Sequence, residues 1–536
     1  MSPYPVRIWD RFAAWPAALA AIALSACAVM PPGASYPRSE SFALAQAQGG
    51  ETAIGRNVEA RAKAHPGLSG FRLFASGTDA LALRVQMANA AQKTLDIQYF
   101  IFKDDDSGQL LMNAILKAAA RGVRVRMLID DTEARGADDR VATLAAHPNI
   151  EVRLYNPFYY RGDVTALRYA ELTLTLSRLN YRMHNKLFVA DNEIAVVGGR
   201  NVGDAYFDTG ASLQFGDYDV FALGPITREL SASFDQYWNS KLAIPAQALS
   251  QASFPRLRLW RMERELAEHA DDARQSDLGR AIRSGKPYAG LIGGDSGLVW
   301  AKAQVIADNP DKANPESAGP IGLRLRERLL AAAAAVKSEL LIVSPYFVPG
   351  DDVSQLLQSL RARHVRVRVL TNSLLSTDVP AVHAGYRGHR LPLLEEGVEL
   401  YEVKPLPGKP DPRGGLLKTP SSGQFALHAK AYVFDRKRVF IGSANLDPRS
   451  LDLNTEIGLM IDSPQLARDV AKRFETMAAP ANSFVLAVAG EGNSRHVVWQ
   501  SEKDGKPTVY ETEPGEDRLR GFKVDLLALL PIDGLL

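Results

Sequence analysis

The chain has 536 residues, too many for one hydrophobic core, and this length predicts at least two large domains. Its 46% hydrophobic and 23% charged residues are typical of a globular protein, and a net charge of +2 weakens any interpretation as a nucleic-acid-binding protein. The single cysteine, Cys27, excludes disulfides within the chain and zinc sites built from several cysteines.

The N-terminus resembles a bacterial export signal that ends in a lipidated cysteine. Two arginines precede a mostly apolar run over residues 12–26, the pattern of a secretory signal peptide. The run ends in LSAC at Cys27, which resembles the processing box of bacterial lipoproteins, whose cysteine is lipidated and becomes the first mature residue. The resemblance implies a signal peptide over 1–27 and a lipoprotein of the bacterial cell envelope that faces the periplasm. Ala28 after the cysteine favours the outer membrane.

Two other interpretations of the N-terminus remain open. The stretch over 12–30 is 19 mostly apolar residues, long enough at ~1.5 Å per residue for an uncleaved membrane anchor. Alternatively, Cys27 is a small apolar residue within the signal of a soluble secreted protein. All three interpretations direct the remainder of the chain out of the cytoplasm.

The first half of the chain predicts a tether followed by an α/β domain. Residues 28–66 contain a Pro-Pro-Gly turn and many small or polar residues, which predicts a tether, with order beginning near Phe71. The domain over 67–245 then alternates helices and strands. The predicted elements are a helix over 80–93 capped by Thr78 or Asp79, a strand over 95–102, a helix over 108–121, and strands over 123–129 and 150–155. This alternation predicts a mixed, mostly parallel sheet flanked by helices.

The second half repeats this order after a polar inter-domain connection over 246–320. The sequence VRVRMLIDD at 123–131 returns as VRVRVLTNS at 365–373. The repeated elements, within a domain over 321–480, are helices over 323–337 and 353–363 and strands over 340–348, 365–370 and 398–403. The chain therefore predicts two homologous domains related by a pseudo-twofold axis.

A short C-terminal module over 481–536 completes the predicted organisation. Residues 497–509 around Asp504-Gly505 predict a β-hairpin, and 518–530 predict an amphipathic helix. The very apolar tail LLALLPIDGLL either packs on a domain or dips into lipid, and the sequence leaves both possibilities open.

The strongest functional signal is a polar motif that occurs once in each half with every spacing kept. It consists of H-x-K-x4-D followed by Gly, Gly or Ser, and Asn. Its members are His184, Lys186, Asp191, Gly198, Gly199 and Asn201, and then His428, Lys430, Asp435, Gly442, Ser443 and Asn445.

These residue types suit the cleavage of a phosphodiester. A neutral histidine is a nucleophile and also an acid or base near neutral pH. A lysine two positions later on an extended strand faces the same side, where its charge can neutralise a phosphoryl oxygen. The asparagines offer amide donors, and no histidine elsewhere has the spacing of a metal site, so we expect no metal. A buried strand with satisfied polar groups is the structural alternative, which two complete copies disfavour.

The paired motif resembles that of the phospholipase D superfamily. Over residues 71–536, finer sequences resemble its bacterial branch of type C cardiolipin synthases: RMHNKLFVADN, GGRNVGDAYF, TNSLLSTDVPAVHAGY and LLPIDGLL. The resemblance implies two α/β domains that face one another across a single shared site without a cofactor. It also implies two displacements through a phosphohistidine, with Lys186, Lys430, Asn201 and Asn445 as phosphate ligands. His184 is our choice of nucleophile and His428 of acid/base, although the similar halves hardly distinguish them.

The resemblance further implies an acid downstream of each motif that holds the other ring nitrogen of the histidine. Glu456 and Asp217 fit these positions. Asp191 and Asp435 belong to the catalytic motif by name, but we expect them to brace the turn that follows the strand.

Other candidate site residues carry weaker signals. Asp130-Asp131 and Asn372-Ser373 end matching strands, where ligand sites of α/β sheets form. His383 and Tyr386 either line a substrate channel or belong to an ordinary surface helix.

The motif predicts the reaction class but leaves the substrate open. The branch resemblance and the predicted lipid anchor favour phosphatidyl transfer between phospholipids. Phosphatidylglycerol, possibly with phosphatidylethanolamine, would then yield cardiolipin. A hydrolytic phospholipase D, an extracytoplasmic nuclease and a catalytically silent lipid-binding lipoprotein are the alternatives. We expect the membrane, through lipidated Cys27, as a partner and no nucleic acid; the sequence does not reveal whether a helper protein is needed.

Overall fold

A computed structural model describes residues 30–132, 138–162, 164–209, 213–250, 255–292, 297–313, 325–405 and 424–515. The predicted signal peptide, Cys27 and the helix predicted over 518–530 lie outside these residues. Within them, no helix is both long and apolar enough to cross a bilayer.

The described part of the chain up to residue 292 contains eleven α-helices and nine strands. The helices are α1 Gln46–Gly50, α2 Ala53–Ala62, α3 Gly77–Ala90, α4 Asp106–Ala120, α5 Asp138–Leu144, α6 Thr165–Leu174, α7 Leu176–Leu179, α8 Pro225–Trp238, α9 Pro255–Asp272, α10 Asp277–Ser284 and α11 Lys286–Ile292. The strands are β1 Ser69–Phe74, β2 Thr94–Tyr99, β3 Arg124–Asp130, β4 Ile150–Tyr155, β5 Leu187–Ala190, β6 Ile194–Gly198, β7 Leu213–Gly216, β8 Asp219–Leu223 and β9 Ala243–Pro245.

The remaining described elements repeat this order. The strands are β10 Val299–Ala307, β11 Glu339–Val343, β12 Arg366–Asn372, β13 Glu399–Val403, β14 Gln424–Leu427, β15 Ala431–Phe434, β16 Arg438–Gly442, β17 Ile457–Asp462, β18 Ser483–Ala489, β19 His496–Lys503 and β20 Lys506–Tyr510. The helices are α12 Leu325–Ala334, α13 Asp351–Ala362, α14 Pro380–Arg387, α15 Arg390–Glu395 and α16 Pro464–Ala478.

Eighteen of these strands form one continuous mixed sheet, which confirms the α/β class with two repeated domains. Its order is β9-β4-β3-β2-β5-β6-β8-β1-β10-β17-β16-β15-β11-β12-β13-β18-β19-β20. Helices cover both halves of this sheet, for example α4 over β3 and α16 over β15 and β16. Each half has the same strand succession, and the antiparallel pair β1–β10, with Gly70 opposite Trp300, joins the halves at the pseudo-twofold axis.

The parallel part of each half is smaller than the sequence predicts. Among the described strands of this sheet, only β2-β3-β4 and β11-β12-β13 are parallel, because helices connect these strands. Tight turns connect β5 to β6 and β15 to β16 and force an antiparallel arrangement. In these turns Asp191 and Asn192 have φ values of 53° and 57°, and Asp435 and Arg436 have 53° and 51°. Turns with two positive φ values are the usual hairpin connections.

The segment predicted as a tether packs on the first domain instead, and its order begins well before Phe71. The backbone nitrogen of Ala43 donates to Asp235 at 2.9 Å, and Ile54 and Val58 on α2 are buried in the core of the first half. The small residues that predicted flexibility make this packing possible. A side chain on Gly55 would place its Cβ 2.1 Å from the carbonyl oxygen of Gly49.

The connection predicted over 246–320 is likewise structured. Its helices α9 and α11 bury Leu259, Leu266 and Leu291 against the first half, and β10 lies at the centre of the sheet. The sequence of β10, VWAKAQVIA, includes a lysine and a glutamine, because several of its side chains stay partly exposed. Its pairing partners lie far away in the sequence, which explains why the strand was missed.

The other predicted elements that fall on described residues are present, with shifts in their ends. The strand predicted over 150–155 matches β4. Helix α3 begins at Gly77, where the hydroxyl of Ser76 accepts from the backbone nitrogen of Asp79 at 3.2 Å, so the predicted cap at Thr78 or Asp79 is wrong. The predicted C-terminal hairpin is confirmed as β19 and β20, with Lys503 opposite Lys506.

Candidate active site

Backbone hydrogen bonds between the two halves hold the segments that carry the histidines. The backbone nitrogen of His184 donates to the carbonyl oxygen of Thr455 at 2.9 Å. Strand β14, which ends just before His428, pairs in parallel with β7 of the other half. The backbone nitrogen of His428 donates to the carbonyl oxygen of Gly216 at 2.8 Å. Each motif histidine therefore lies at the interface between the halves.

Each histidine contacts a carboxylate that the opposite half supplies. Nδ1 of His184 lies 2.9 Å from Oε2 of Glu456, and Nδ1 of His428 lies 2.5 Å from Oδ2 of Asp217. The sequence analysis identified both acids but assigned each to the motif that it follows. In the structure each acid instead contacts the histidine of the other motif. The pairing of β7 with β14 and the bridge between Met183 and Thr455 bring each acid across the interface.

Residues of the acid's own half hold each carboxylate in place. Gly199 leaves room for Asp217, since a Cβ at position 199 would lie 2.2 Å from Oδ1 of the aspartate. At the equivalent place in the second half, the hydroxyl of Ser443 donates to Glu456. The hydroxyl of Ser450 donates to Glu456 at 2.6 Å. The difference between the Gly-Gly and Gly-Ser corners thus follows from the acid that each must hold.

The two motif lysines are buried beside the histidines. Lys186 is 1% exposed and Lys430 is fully buried. Nζ of Lys186 donates to the carbonyl oxygen of His184 at 2.6 Å, and Lys430 donates to that of His428. The lysine of each motif therefore curls back on its own histidine segment, and both ammonium groups lie within the same buried cluster.

Mutual electrostatic effects place both motifs in a single site. Burial and then the charges of Lys430 and Lys186 lower the pKa of His428 well below its usual value. Burial also lowers the pKa of His184, which the negative charge of Glu456 partly opposes. Both shifts favour the neutral imidazole in the free protein.

The charges of the lysines and the acids are shifted for the same reasons. Burial lowers the pKa of Lys430 to about 8 and that of Lys186 well below its usual value. Burial raises the pKa of Asp217. Burial opposes ionisation of Glu456 as well, but the charge and hydrogen bond of His184 hold the pKa of this acid below its usual value. A phosphodiester anion in the site would stabilise the charged lysines and histidines.

The motif asparagines are buried within the same region. Nδ2 of Asn201 donates to the hydroxyl of Tyr206 at 2.9 Å, and its Oδ1 accepts from the backbone nitrogen of Ile101 at 3.2 Å. The backbone nitrogen of Asn445 donates to the hydroxyl of Ser450 at 2.9 Å. Their predicted role as phosphate ligands stays a prediction.

Aromatic rings that the sequence analysis missed surround both histidines. The ring centroid of Phe100 lies 5.0 Å from that of His184, and those of Tyr206 and Phe215 lie 5.2 and 4.9 Å from that of His428. These rings exclude water from the imidazoles and so help to lower their pKa values. Only Tyr206 had a signal, since it lies within the resembling sequence GGRNVGDAYF.

Asp191 and Asp435 lie at the opposite ends of β5 and β15 from the motif lysines. The carboxylate of Asp191 accepts from the backbone nitrogens of Gln92, Lys93 and Thr94. That of Asp435 accepts equivalently from the backbone nitrogens of residues 337–339. Both acids thus brace the loop that leads into the neighbouring strand, rather than the turn that follows their own strand.

The polar residues that end β3 and β12 accept hydrogen bonds from the backbone of the segments that carry the histidines. Oδ2 of Asp130 accepts from the backbone nitrogen of Met183, and Oδ1 of Asn372 accepts from that of Leu427, both at 2.9 Å. Met183 and Leu427 each precede a motif histidine. The residues at these strand ends therefore help to position the site, as their place in the sheet suggested. They do so by accepting hydrogen bonds from the backbone.

His383 and Tyr386 belong to neither environment that the sequence suggested. They are 3% and 2% exposed, so α14 is not an ordinary surface helix at these positions. Nε2 of His383 lies 2.6 Å from Oε1 of Glu513, and the guanidinium of Arg390 lies 4.8 Å from the ring centroid of Tyr386. This buried ionic cluster attaches the C-terminal residues to the second domain.

The described residues contain no group of three or more His, Cys, Asp or Glu side chains suited to a metal ion. The predicted absence of a metal from the reaction stays a prediction.

Comparisons with known proteins identify the family. The domain described as "Cardiolipin synthase, PLD-like domain" matches residues 85–238 and 329–478, which together are more than half of the chain. Cardiolipin synthase C of Escherichia coli is 39% identical over 473 residues, covering 88% of this chain and 97% of that protein. The chain belongs to the phospholipase D-like cardiolipin synthase family.

One further sequence and one solved structure are also similar to this chain. Cardiolipin synthase 1 of Bacillus anthracis is 25% identical over 411 residues, covering 75% of this chain and 65% of that protein. The crystal structure of a phosphatidylserine synthase from Haemophilus influenzae superposes with a TM-score of 0.52 and 15% identity. It covers 80% of this chain and 91% of the other, and so shows that the family fold extends over both halves.

Proposed function

We propose that this protein is a phosphatidyltransferase that forms cardiolipin from phospholipids through a phosphohistidine intermediate. The observation that carries the proposal is the pair of motif histidines, each hydrogen-bonded at Nδ1 to a carboxylate of the opposite half, with two buried lysines beside them. Similarity to cardiolipin synthase C over most of both chains supports the same reaction.

We assign complementary roles to the two rings. A carboxylate at Nδ1 fixes the proton on that nitrogen and leaves the Nε2 lone pair available. Nε2 of His184 attacks phosphorus and forms a P–N bond, while the P–O bond to the departing alcohol breaks and His428 delivers a proton to that oxygen. His428 then takes the proton of an acceptor hydroxyl, whose oxygen displaces His184 from phosphorus.

The remaining motif residues stabilise the charge that builds up on the phosphoryl oxygens. Lys186 and Lys430 are buried, so their ammonium groups act in a low dielectric where each charge is worth more than in water. The side-chain amides of Asn201 and Asn445 supply further donors. Two copies of one motif thus provide symmetrical support for a five-coordinate phosphorus.

Lipid substrates decide which products form. With phosphatidylglycerol as both donor and acceptor, the departing alcohol is glycerol and the product is cardiolipin. With phosphatidylethanolamine as donor, ethanolamine departs instead. Water in place of the acceptor hydroxyl gives phosphatidic acid, which is the reaction of a hydrolytic phospholipase D.

We place this activity at the periplasmic face of a bacterial membrane, with the outer membrane favoured. The support is the LSAC sequence at Cys27, which resembles a lipoprotein processing box. A lipid anchor keeps an enzyme at the surface that contains its substrates. One acyl chain gives only marginal binding, and the several chains of a lipoprotein hold far more firmly.

The test is to incubate the full-length protein with phosphatidylglycerol labelled in its glycerol headgroup, with and without phosphatidylethanolamine. We expect labelled cardiolipin. Phosphatidic acid without cardiolipin would assign the protein to the hydrolases, and no lipid turnover would assign it to silent lipid-binding proteins. Degradation of added DNA in place of lipid would reveal a nuclease. His184→Ala is the matched inactive control.

A further inference from the structure

A segment beside the active site exposes large apolar side chains to solvent. It comprises residues 159–162 and 164–176, which include all of α6 and the first residue of α7, and we call it the apolar segment. Six of its large apolar side chains are between 37% and 64% exposed: Tyr159, Val164, Leu167, Tyr169, Leu174 and Leu176. Such side chains usually occur singly on a protein surface, so a concentration of six within eighteen positions calls for a partner.

The polarity of the apolar segment is the reverse of that of a water-facing helix. Arg168 is 8% exposed and points inward, where its Nη2 donates to the carbonyl oxygen of Asp131 at 2.9 Å. The carboxylate of Glu171 also points inward and accepts from the backbone nitrogen of Tyr159 at 2.7 Å. Charged groups therefore face the protein, while Leu167 and Leu174 face outward. An apolar environment stabilises this arrangement, whereas water does not.

The apolar segment borders the active site. Four residues, 180–183, separate the end of α7 from His184. Nη1 of Arg449, four residues after the motif asparagine of the second half, donates to Oδ1 of Asn180 at 3.1 Å. The segment therefore continues directly into the interface between the halves, where both motifs meet.

The N-terminal end of the described chain is bound to the same segment. The hydroxyl of Tyr159 donates to the carbonyl oxygen of Met30 at 2.5 Å, and the Met30 side chain is 49% exposed. Met30 lies three positions after Cys27, the residue proposed to carry the lipid anchor. The described chain thus begins on the same side of the molecule as the exposed apolar side chains.

We propose that the apolar segment inserts into the interfacial region of a phospholipid bilayer and turns the entrance of the active site toward the lipid. A bilayer suits this surface because the outward side chains are apolar or aromatic, whereas the charges are satisfied internally. The inference rests on the proposed function, because a phospholipid substrate must pass from the bilayer to the histidines without its acyl chains crossing water.

The first test uses a fluorescent probe on the full-length protein. Cys27 is the only cysteine, so Cys27→Ser together with Leu174→Cys gives a single labelling position for the environment-sensitive dye NBD. With vesicles of phosphatidylglycerol and phosphatidylethanolamine, we expect a blue shift and a several-fold rise in emission. Cys27→Ser with Val509→Cys, at a 56% exposed apolar position on β20, is the matched control that stays unchanged.

Two results of the labelling experiment would overturn the proposal. One is an unchanged spectrum of the probe at position 174. The other is a blue shift that needs no vesicles and grows with protein concentration, which would mean that a second copy of the chain covers the segment.

The second test measures turnover in the Cys27→Ser background. Leu167→Asp with Leu174→Asp should lower turnover of phosphatidylglycerol in vesicles at least 10-fold and leave turnover of a short-chain, monomeric phosphatidylglycerol unchanged. Val488→Asp with Val509→Asp, also at exposed apolar positions, should change neither rate. Equal losses on both substrates would assign the segment a structural role and overturn the proposal.

These tests separate the inference from the proposed function. If the parent protein turned over neither lipid, the proposed function would fail, whereas the probe at position 174 would still decide whether the segment enters the bilayer.

Discussion

At the scale of single residues, the two motif histidines are chemically alike but electrostatically different. His428 is the more strongly affected ring, because the charges of Lys430, Lys186 and Arg200 add to the effect of burial on its pKa. At His184 the negative charge of Glu456 offsets part of that effect. A bound phosphodiester is therefore most needed at His428, whose cationic form would deliver the proton to the departing alcohol in the proposed reaction.

Removal of either imidazole should abolish lipid turnover, because the two rings carry different steps. We expect His184→Ala and His428→Ala each to lower kcat by ~10³-fold or more. A substrate with a p-nitrophenol leaving group needs no proton donor, so His428→Ala should still form a phosphoenzyme on it and His184→Ala should not. Acid-quenched labelling measures this. Lipid turnover retained by either variant, or a phosphoenzyme in His184→Ala, would contradict the assignment.

The pH dependence of kcat/KM should carry the signature of Lys430. The pKa of this lysine is lowered to about 8, so its positive charge is present below that pH and is lost as the pH rises through 8. kcat/KM should therefore fall on the alkaline side near pH 8. Arginine keeps its charge, so Lys430→Arg should move this fall to higher pH. Lys437→Arg, at an exposed position of the same half, is the control, and an unchanged alkaline limb in Lys430→Arg would refute the prediction.

The sequence was sufficient to predict which polar residues gather in the site but not how they pair. Spacing identified the histidines and lysines, since these types recur in register, whereas the family resemblance implied both acids. The partner of each acid depends on β7 pairing with β14 across more than two hundred residues, which no local pattern reveals. Phe100 and Phe215 escaped prediction because an aromatic residue in a strand is ordinarily part of a core.

At the scale of secondary-structure elements, local connections decided where prediction succeeded. The helices and parallel strands around β2, β3 and β4 follow clear hydrophobic periods and were found. The strand β10 and the packed segment over 38–62 were missed, because neither has a strong period and both are stabilised by partners distant in sequence. The hairpins at Asp191 and Asp435 depend on positive φ values at residues other than glycine, which the sequence signals weakly.

The pairing of elements across the interface should be visible in the kinetics of acid variants. Glu456→Gln loosens His184 and should slow formation of the phosphoenzyme about 10- to 100-fold. Asp217→Asn loosens His428 and should slow lipid turnover but affect a p-nitrophenol leaving group much less. Stopped-flow release of p-nitrophenol measures the rate of phosphoenzyme formation in both variants. Glu475→Gln, at a 42% exposed glutamate of the second half, is the control, and the reverse pattern would contradict the crossed assignment.

At the scale of the whole molecule, one sheet of eighteen strands fixes the two domains relative to each other. The antiparallel pair β1–β10 leaves little freedom for a hinge between the halves. We therefore expect substrates to reach the site from one side, without closure of the domains. The proposed lipid anchor should then determine how often the site encounters a lipid substrate.

Loss of the anchor should change the location of the enzyme and not its chemistry. Cys27→Ala removes the proposed lipid attachment, so we expect an active enzyme in the soluble fraction of the envelope and full turnover on lipids dispersed in detergent. Incorporation of labelled palmitate into the parent, and its absence from the variant, checks the modification. A variant that stays in the membrane after a salt wash would favour the uncleaved anchor instead.

The crossed carboxylates have a consequence for how such a protein can change over generations. Asp217 serves the ring of the second half and Glu456 that of the first, so a fault in either copy disables its neighbour. The chain behaves like a homodimer whose subunits have been made inseparable: each copy holds a part that the other cannot work without. Neither copy is then free to drift toward a new task, and polypeptides cut between them should regain activity only when both pieces are made together.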